Sequence, residues 1–402
     1  MEAIKKGCLE FICLPGIAQP VSPSPNPRNN LYRLFSLFFT VCLCVSCSVP
    51  GVQIKIRSER TVLVYMAADN NLSRNAEKDI LEMRSVTFSN EYNLIVYMDT
   101  PNQKPCLLKI QNGSIDTLKI YEPQNSASKQ VLESVIDESF ALFSAEHYGL
   151  VLWSHGTGWL PSGKFDELKN PVLRSFGRDN GKEMEITDLA EALPDYLEFL
   201  IFDACLMSGI EILYQLRHKA GVIIASPTES LAAGFPYDSV LPFLFLPQPK
   251  YNEAAQSYMD YFKDKTGALQ SASITVIDTK ELEPLAVLVR ENIQKESGLI
   301  CPDREQIQRY DTKEPALFFD FEDYLKQLGF NMNSIRRQLN KVVLFKDFTL
   351  RFLQEFELEK VSGVGVYISV ENDLLFNEYR DLDWFLDTGL FCERGVPASA
   401  PY

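Results

Sequence analysis

Apolar residues along this chain gather in short, β-branched runs separated by amphipathic stretches. Arg60-Thr-Val-Leu-Val-Tyr-Met-Ala67 is a continuous run of the kind that predicts a strand buried on both faces. It ends at Asp69-Asn-Asn-Leu-Ser73, a loop and helix-capping composition, after which Ala76, Ile80, Met83 and Val86 recur at helical spacing over 74–88. Asn93–Met98 predicts a second strand, and residues 106–121 alternate around Asn112-Gly113 as a hairpin. Over 127–147, Val131, Val135, Ile136, Phe140 and Phe143 mark the inner face of a helix. Tyr148–Trp153 and Phe199–Phe202 predict two more buried strands with a helix over 186–193 between them, and Gly221–Ala225 adds another strand. Strand and helix alternate as in a doubly wound α/β sheet.

Past residue 250 the pattern predicts helices over 252–264, 280–297, 317–329, 333–344 and 346–357, and a strand over 271–277. Gly363–Ser369 reads as a late strand and a candidate further member of the main sheet. Residues 157–185 are rich in Gly, Pro, Lys and Arg, and a structureless segment of that length inside a compact domain is usually functional or disordered.

The N-terminus has a different character. Residues 14–30 are rich in Pro, Ser and Asn; Arg28 and Arg33 then precede the apolar run Leu34–Ser46 and Cys47. A basic flank, a short apolar run and a small residue make a secretory signal, and the run is too short to span a bilayer comfortably. It resembles a bacterial lipoprotein signal in which Cys47 is lipidated and becomes the first mature residue, although Cys44 stands where leucine is usual, so plain signal cleavage stays open. The expected division is a leader over 1–47, a linker over 48–59, a core over 60–250 and a C-terminal extension over 251–402 that contributes helices and late strands. The protein is expected to be exported, to the periplasm or the cell surface, with a lipid anchor in the membrane.

With 402 residues and 46% apolar content, the chain has ample material for a large core, and a formal charge of -15 argues against nucleic acid and favours cationic partners. Beyond the leader only Cys106, Cys205, Cys301 and Cys392 remain, widely spaced and without CxxC, which gives no disulfide framework and no zinc site.

Two strand ends carry the candidate chemistry. Tyr148-Gly-Leu-Val-Leu-Trp-Ser-His155-Gly156 delivers an imidazole, and Phe199-Leu-Ile-Phe-Asp203-Ala-Cys205 delivers a thiol followed by a helical pattern. Sites in open α/β sheets form outside the carboxyl ends of the strands. There Cys205 reads as a nucleophile whose thiolate a helix N-terminus would favour, and His155 as its base. Gly156 offers an unobstructed N–H to an oxyanion alongside the amide of Cys205. Asp203 shares a strand face with Cys205. A carboxylate there would raise the thiol pKa, so its better role is to receive a cationic substrate side chain, with a helix cap as the bland alternative. Asp69 could add to the same pocket or cap a helix. His147 and His218 read as surface residues.

These stretches resemble the clostripain family of cysteine peptidases, within the caspase–gingipain–legumain group, whose pattern is an apolar strand then His-Gly and an apolar strand then Asp-x-Cys. Tyr65–Leu72, Ala225–Glu229 and Gly234–Tyr237 are also similar to family stretches, so the likeness covers roughly residues 60–240. It implies a caspase-like three-layer α/β/α sandwich around a mostly parallel sheet, cleavage of polypeptides after Arg or Lys with Asp203 in the S1 pocket, and no third catalytic residue. It also implies activation by self-cleavage between the histidine and the cysteine, where Lys164, Lys169, Arg174 and Arg178 stand. Some relatives need calcium; no acidic loop of calcium-binding spacing is present, so no cofactor is required on this reading and calcium stays open without support from the sequence. Two rivals differ in class. A serine hydrolase would want a G-x-S-x-G elbow, which the chain lacks. A surface lipoprotein that binds peptide or glycan without cleaving would have no need of both His155 and Cys205.

Overall fold

The computed structural model describes residues 57–161, 176–295, 301–370 and 375–392. The expected leader with Cys47, most of the linker, and Lys164, Lys169 and Arg174 lie outside the described residues. In chain order, β1 (Ser58–Ala67), α1 (Ser73–Ser85), β2 (Tyr92–Thr100), β3 (Gln103–Gln111) and β4 (Ser114–Ile120) lead to α2 (Lys129–Leu142) and β5 (Ala145–Trp153). A small hairpin, β6 (Phe176–Asp179) and β7 (Lys182–Met184), precedes α3 (Ile186–Ala192), β8 (Leu197–Asp203), α4 (Ile210–Gln215) and β9 (Ala220–Ala225). Then come α5 (Tyr237–Leu244), α6 (Tyr251–Lys263), β10 (Ser273–Asp278), α7 (Leu282–Lys295), β11 (Phe318–Asp320), α8 (Phe321–Gln327), α9 (Met332–Val342) and β12 (Val343–Phe348).

Nine strands form one sheet in the order β12-β10-β9-β8-β5-β1-β2-β3-β4. The five central strands from β9 to β2 run parallel, and the pairs outside them are antiparallel. Side chains alternate between two cores. Val62, Val64, Met66, Val151, Phe199 and Ile201 face α1, α5 and α6, whereas Leu63, Tyr65, Leu150, Leu152, Leu200 and Phe202 face α2, α3, α4 and α7. Burial on both faces explains why the central strands read as unbroken apolar runs. The result is the expected caspase-like α/β/α sandwich. Strands β10 and β12, both beyond residue 250, extend its sheet, and the described residues belong to one compact unit.

Several boundaries differ from the sequence pattern. The helix expected over 127–147 stops at Leu142, because the register of β5 against β1 already engages Ala145 opposite Ser58. The segment expected to be helical over 317–329 starts as β11. The helix expected over 346–357 is instead the end of β12 and a two-residue hairpin, β13 (Arg351–Phe352) with β14 (Phe356–Glu357); the edge strand β12 alternates in exposure, a period of two. The late strand is β15 (Gly365–Tyr367), which pairs with β11 in a separate two-stranded sheet and does not join the main one. The loop expected over 157–185 contains the β6–β7 hairpin.

Cys301 and Cys392, 91 residues apart in sequence, form a disulfide, which corrects the reading that no bridge was present. Their separation carries no local signature; the packing of the C-terminal segment brings them together.

The pairing of β5 with β8 is unusually close at one point. Gly149 lies opposite Phe199, and a Cβ added at Gly149 would sit 2.1 Å from the Phe199 ring. Gly149→Ala should therefore lower stability by about 2 kcal/mol through overpacking, read as a lower denaturant midpoint at unchanged slope; a wild-type midpoint would refute the close fit. Replacing Cys301 and Cys392 with serine should cost about 2–4 kcal/mol by the same measurement, since the bridge closes a long loop.

Candidate active site

The parallel pairing of β5 with β8 places Trp153 beside Asp203. Both chains continue past that pair, and the Ser154 N–H still donates to the Asp203 carbonyl at 3.3 Å. His155 and Cys205 are each two residues further on, so adjacent strands deliver them at the same level. Both line one cleft of 540 Å³, together with Asp203, Asn71, Glu229 and Thr312.

Beyond β8 the chain turns sharply. Leu206 is buried with φ 61, a left-handed conformation that costs a non-glycine residue of order 1–3 kcal/mol and is held here by its N–H donating to the Thr228 carbonyl at 2.9 Å. Helix α4 does not begin until Ile210, so Cys205 is not at a helix N-terminus as the pattern suggested. Its thiol is not lowered either. Burial pushes it up to about 12, with Glu229 and Asp203 adding to the rise, while the N–H groups of Ser230 and Gly156 pull the other way. The Ser230 N–H donates to Sγ at 3.2 Å, and the thiol faces the Ser230 carbonyl at 3.6 Å.

Gly156 fits where no other residue would. A Cβ there would lie 2.5 Å from the Cys205 carbonyl oxygen and 3.1 Å from its nitrogen. The two backbones therefore touch, and the amides of Gly156 and Cys205 sit together beside the sulfur. His155 is half-buried, with Nε2 2.8 Å from Oδ1 of Asn71. Ser154 donates from Oγ to the Ala67 carbonyl at 2.7 Å and accepts from the Arg178 N–H, so its hydroxyl is engaged in tying strands together.

Asp203 is buried in the cleft wall. Its Oδ2 accepts from the Phe235 N–H at 3.1 Å and the Tyr237 hydroxyl at 3.0 Å. Burial nevertheless pushes the carboxyl up to about 6. It does not cap α4, whose first turn is capped by no side chain. Behind it Asp79 accepts from the Trp153 indole at 2.8 Å and is pushed by burial up to about 8. Glu229 is also buried: Oε1 accepts from the Thr312 N–H and hydroxyl, Oε2 has no hydrogen-bond partner among the described residues, and burial pushes the group up to about 7.

Asp69 does not line the cleft. Its carboxyl is raised by burial and by Asp179, part of a separate cluster with Asp99, and α1 begins after Leu72 without a side-chain cap. His147 and His218 are exposed, as expected. Sequence reasoning missed the far wall of the cleft, where Thr312, Lys313, Glu314 and Leu353 stand. No local pattern marks them. Asn71 was visible only as part of a loop composition.

The clostripain family model matches residues 64–337. Clostripain of Hathewaya histolytica is 24% identical over 383 residues, which cover 83% of this chain and 65% of that protein, so the chain spans just under two thirds of this relative's length. An inactive zymogen of a C11 protease from Parabacteroides distasonis is 32% identical, with a TM-score of 0.73 over 83% of this chain and 99% of its own. A secreted C11 cysteine protease from Bacteroides thetaiotaomicron, solved with an irreversible peptide inhibitor, is 31% identical, with a TM-score of 0.70 over 82% of this chain and 98% of its own. With the family model spanning most of the chain and these folds superposing along it, this protein belongs to the clostripain family of cysteine peptidases.

Proposed function

We propose that this chain is a cysteine endopeptidase that cleaves peptide bonds after Arg or Lys, with Cys205 as nucleophile and His155 as base. The observation that carries the reading is the delivery of both residues, at one level, into a cleft that also holds buried Asp203. In this mechanism His155 takes the thiol proton as sulfur attacks the scissile carbonyl, and the oxyanion is held by the amides of Gly156 and Cys205. His155 then gives that proton to the leaving amine, and water, activated by the same imidazole, hydrolyses the thioester. A thiol raised by burial suits this order, because the proton leaves only when substrate and base are both in place. No cofactor is invoked.

Asp203 supplies the specificity. Its Oδ2 is taken by protein donors, and a guanidinium or ammonium would pair with the remaining oxygen and restore the charged form. The inhibitor-bound relative supports peptide occupancy of such a cleft. Activation by self-cleavage is part of the reading. Arg178 is a poor site, because its N–H donates to Ser154 and its carbonyl accepts from Asn70 at 2.8 Å. Lys164, Lys169 and Arg174 remain as candidates, and the related zymogen supports a latent form. The Cys301–Cys392 bridge and the secreted relative support export, with Cys47 as the proposed lipid anchor.

Fluorogenic peptides ending in Arg, Lys or Asp test the reaction. Hydrolysis after Arg or Lys that disappears in Cys205→Ala is the expected result. No turnover before or after limited proteolysis within 157–185 would favour a binding lipoprotein on the same fold. Replacing Lys164, Lys169 and Arg174 together with glutamine should leave the chain intact and its activity low by mass spectrometry and assay; full activity of that intact variant would sink self-activation.

Asp203 also carries a pH signature. Its folded-state value lies above the ordinary carboxylate value, so the folded protein binds this proton more tightly than the unfolded chain. The group costs stability progressively as pH rises from near its unfolded value through about 6, amounting to about 3 kcal/mol by neutrality. Asp203→Asn should therefore melt higher than wild type at pH 7 and alike at pH 4, while losing cleavage after Arg and Lys. Equal melting at pH 7 would show that the carboxylate is not strained.

A further inference from the structure

Asn71 lies in the turn between β1 and α1, and its side-chain oxygen is 2.8 Å from Nε2 of His155 on the cleft wall. The turn that carries it is fixed from three sides. Strand β1 pairs in parallel with β5, Met66 beside Trp153, so residues following both strands emerge together. Ser154 bonds the Ala67 carbonyl across that pair. Asn70 clamps the turn: its Nδ2 donates to the Ala67 carbonyl at 2.9 Å and to the Arg178 carbonyl, and its Oδ1 accepts from the Leu72 N–H at 2.9 Å. With Asn70 occupied in holding the backbone, the neighbouring Asn71 side chain is directed to the imidazole.

An amide oxygen only accepts, so the ring nitrogen facing it carries the proton. We propose that Asn71 is a positioning residue for the peptidase reaction, orienting His155 through Nε2–H so that Nδ1 is the nitrogen that takes the Cys205 proton. This rests on the Cys205–His155 reading above. Asn71 does not itself exchange protons. It selects one tautomer before substrate arrives and supports the imidazolium that forms when the thiol is deprotonated, since a ring charged at that step strengthens its bond to the amide oxygen. The same turn is bonded to the β6 strand at Arg178 through Asn70, so the hairpin that follows the candidate cleavage sites also holds the neighbour of Asn71.

Two substitutions at Asn71, compared in the active form of the full chain, test this. Asn71→Leu keeps the size and removes the acceptor; kcat should fall about tenfold with KM unchanged, the loss of one hydrogen bond that matters mainly in the transition state. Asn71→Asp keeps the acceptor and adds a negative charge beside the ring, so activity should survive and the acid limb of the kcat/KM profile, which reports the base, should move up by about one pH unit. A merely structural asparagine would lower the melting temperature in both variants and leave that limb in place, which overturns the proposal. So does an Asn71→Asp variant as impaired as Asn71→Leu with its limb unmoved, which would make the amide a donor to the ring. Wild-type kinetics in both variants, alongside inactive Cys205→Ala and His155→Ala, overturns the Asn71 assignment alone. Hydrolysis that survives Cys205→Ala overturns the dyad, and the role of Asn71 with it.

Discussion

The pairing of β5 with β8 is the constraint on which the rest depends. Parallel strands register their side chains rigidly, and a slip of one residue would turn every side chain to the opposite core. The contact of Gly149 with the Phe199 ring pins that register. Everything chemical follows from it: Ser154 meets the Asp203 carbonyl, Gly156 meets the Cys205 backbone, and imidazole and thiol open into one cleft. Neither residue is placed by its own loop. Each is carried by a strand buried on both faces, whose position the two cores determine.

In and behind the cleft stand carboxyl groups that burial disfavours as anions. Asp203, Asp79 and Glu229 are all raised, and Glu229 keeps one oxygen without a partner among the described residues. Such a set destabilises the folded chain on its own and becomes favourable when a cation enters. The formal charge of -15 would act at longer range in favour of cationic partners. On the proposed reading, affinity for a positive side chain is stored in the site as unrelieved desolvation.

The central strands and the two strand-end motifs were legible in the sequence because burial on both faces leaves unmistakable apolar runs. His155, Gly156, Asp203 and Cys205 announced themselves by standing where those runs end. What was not legible depends on distance along the chain. Thr312 and Leu353 reach the cleft from segments that read only as loop or helix, the Cys301–Cys392 bridge has no local spacing to betray it, and Asn71 looks like any turn residue until His155 is placed beside it. The helix expected over 346–357 failed because an edge strand and a tight hairpin are set by pairing, which local periodicity does not report. The expected thiolate failed for a related reason, since the tight turn at Leu206 separates Cys205 from α4.

Strand order has one more consequence. The segment between His155 and Cys205 connects two strands that are neighbours in the sheet, so any cut within it would leave the two residues on separate polypeptides. The fragments would share a single sheet, with no continuous chain linking the proposed base to the proposed nucleophile. Holding them together would then fall to interstrand hydrogen bonds and the two cores. Once unfolded, such a molecule would reassemble only by a bimolecular encounter, at a rate set by concentration. Its working lifetime would be governed by how slowly the halves part rather than by any equilibrium between folded and unfolded states.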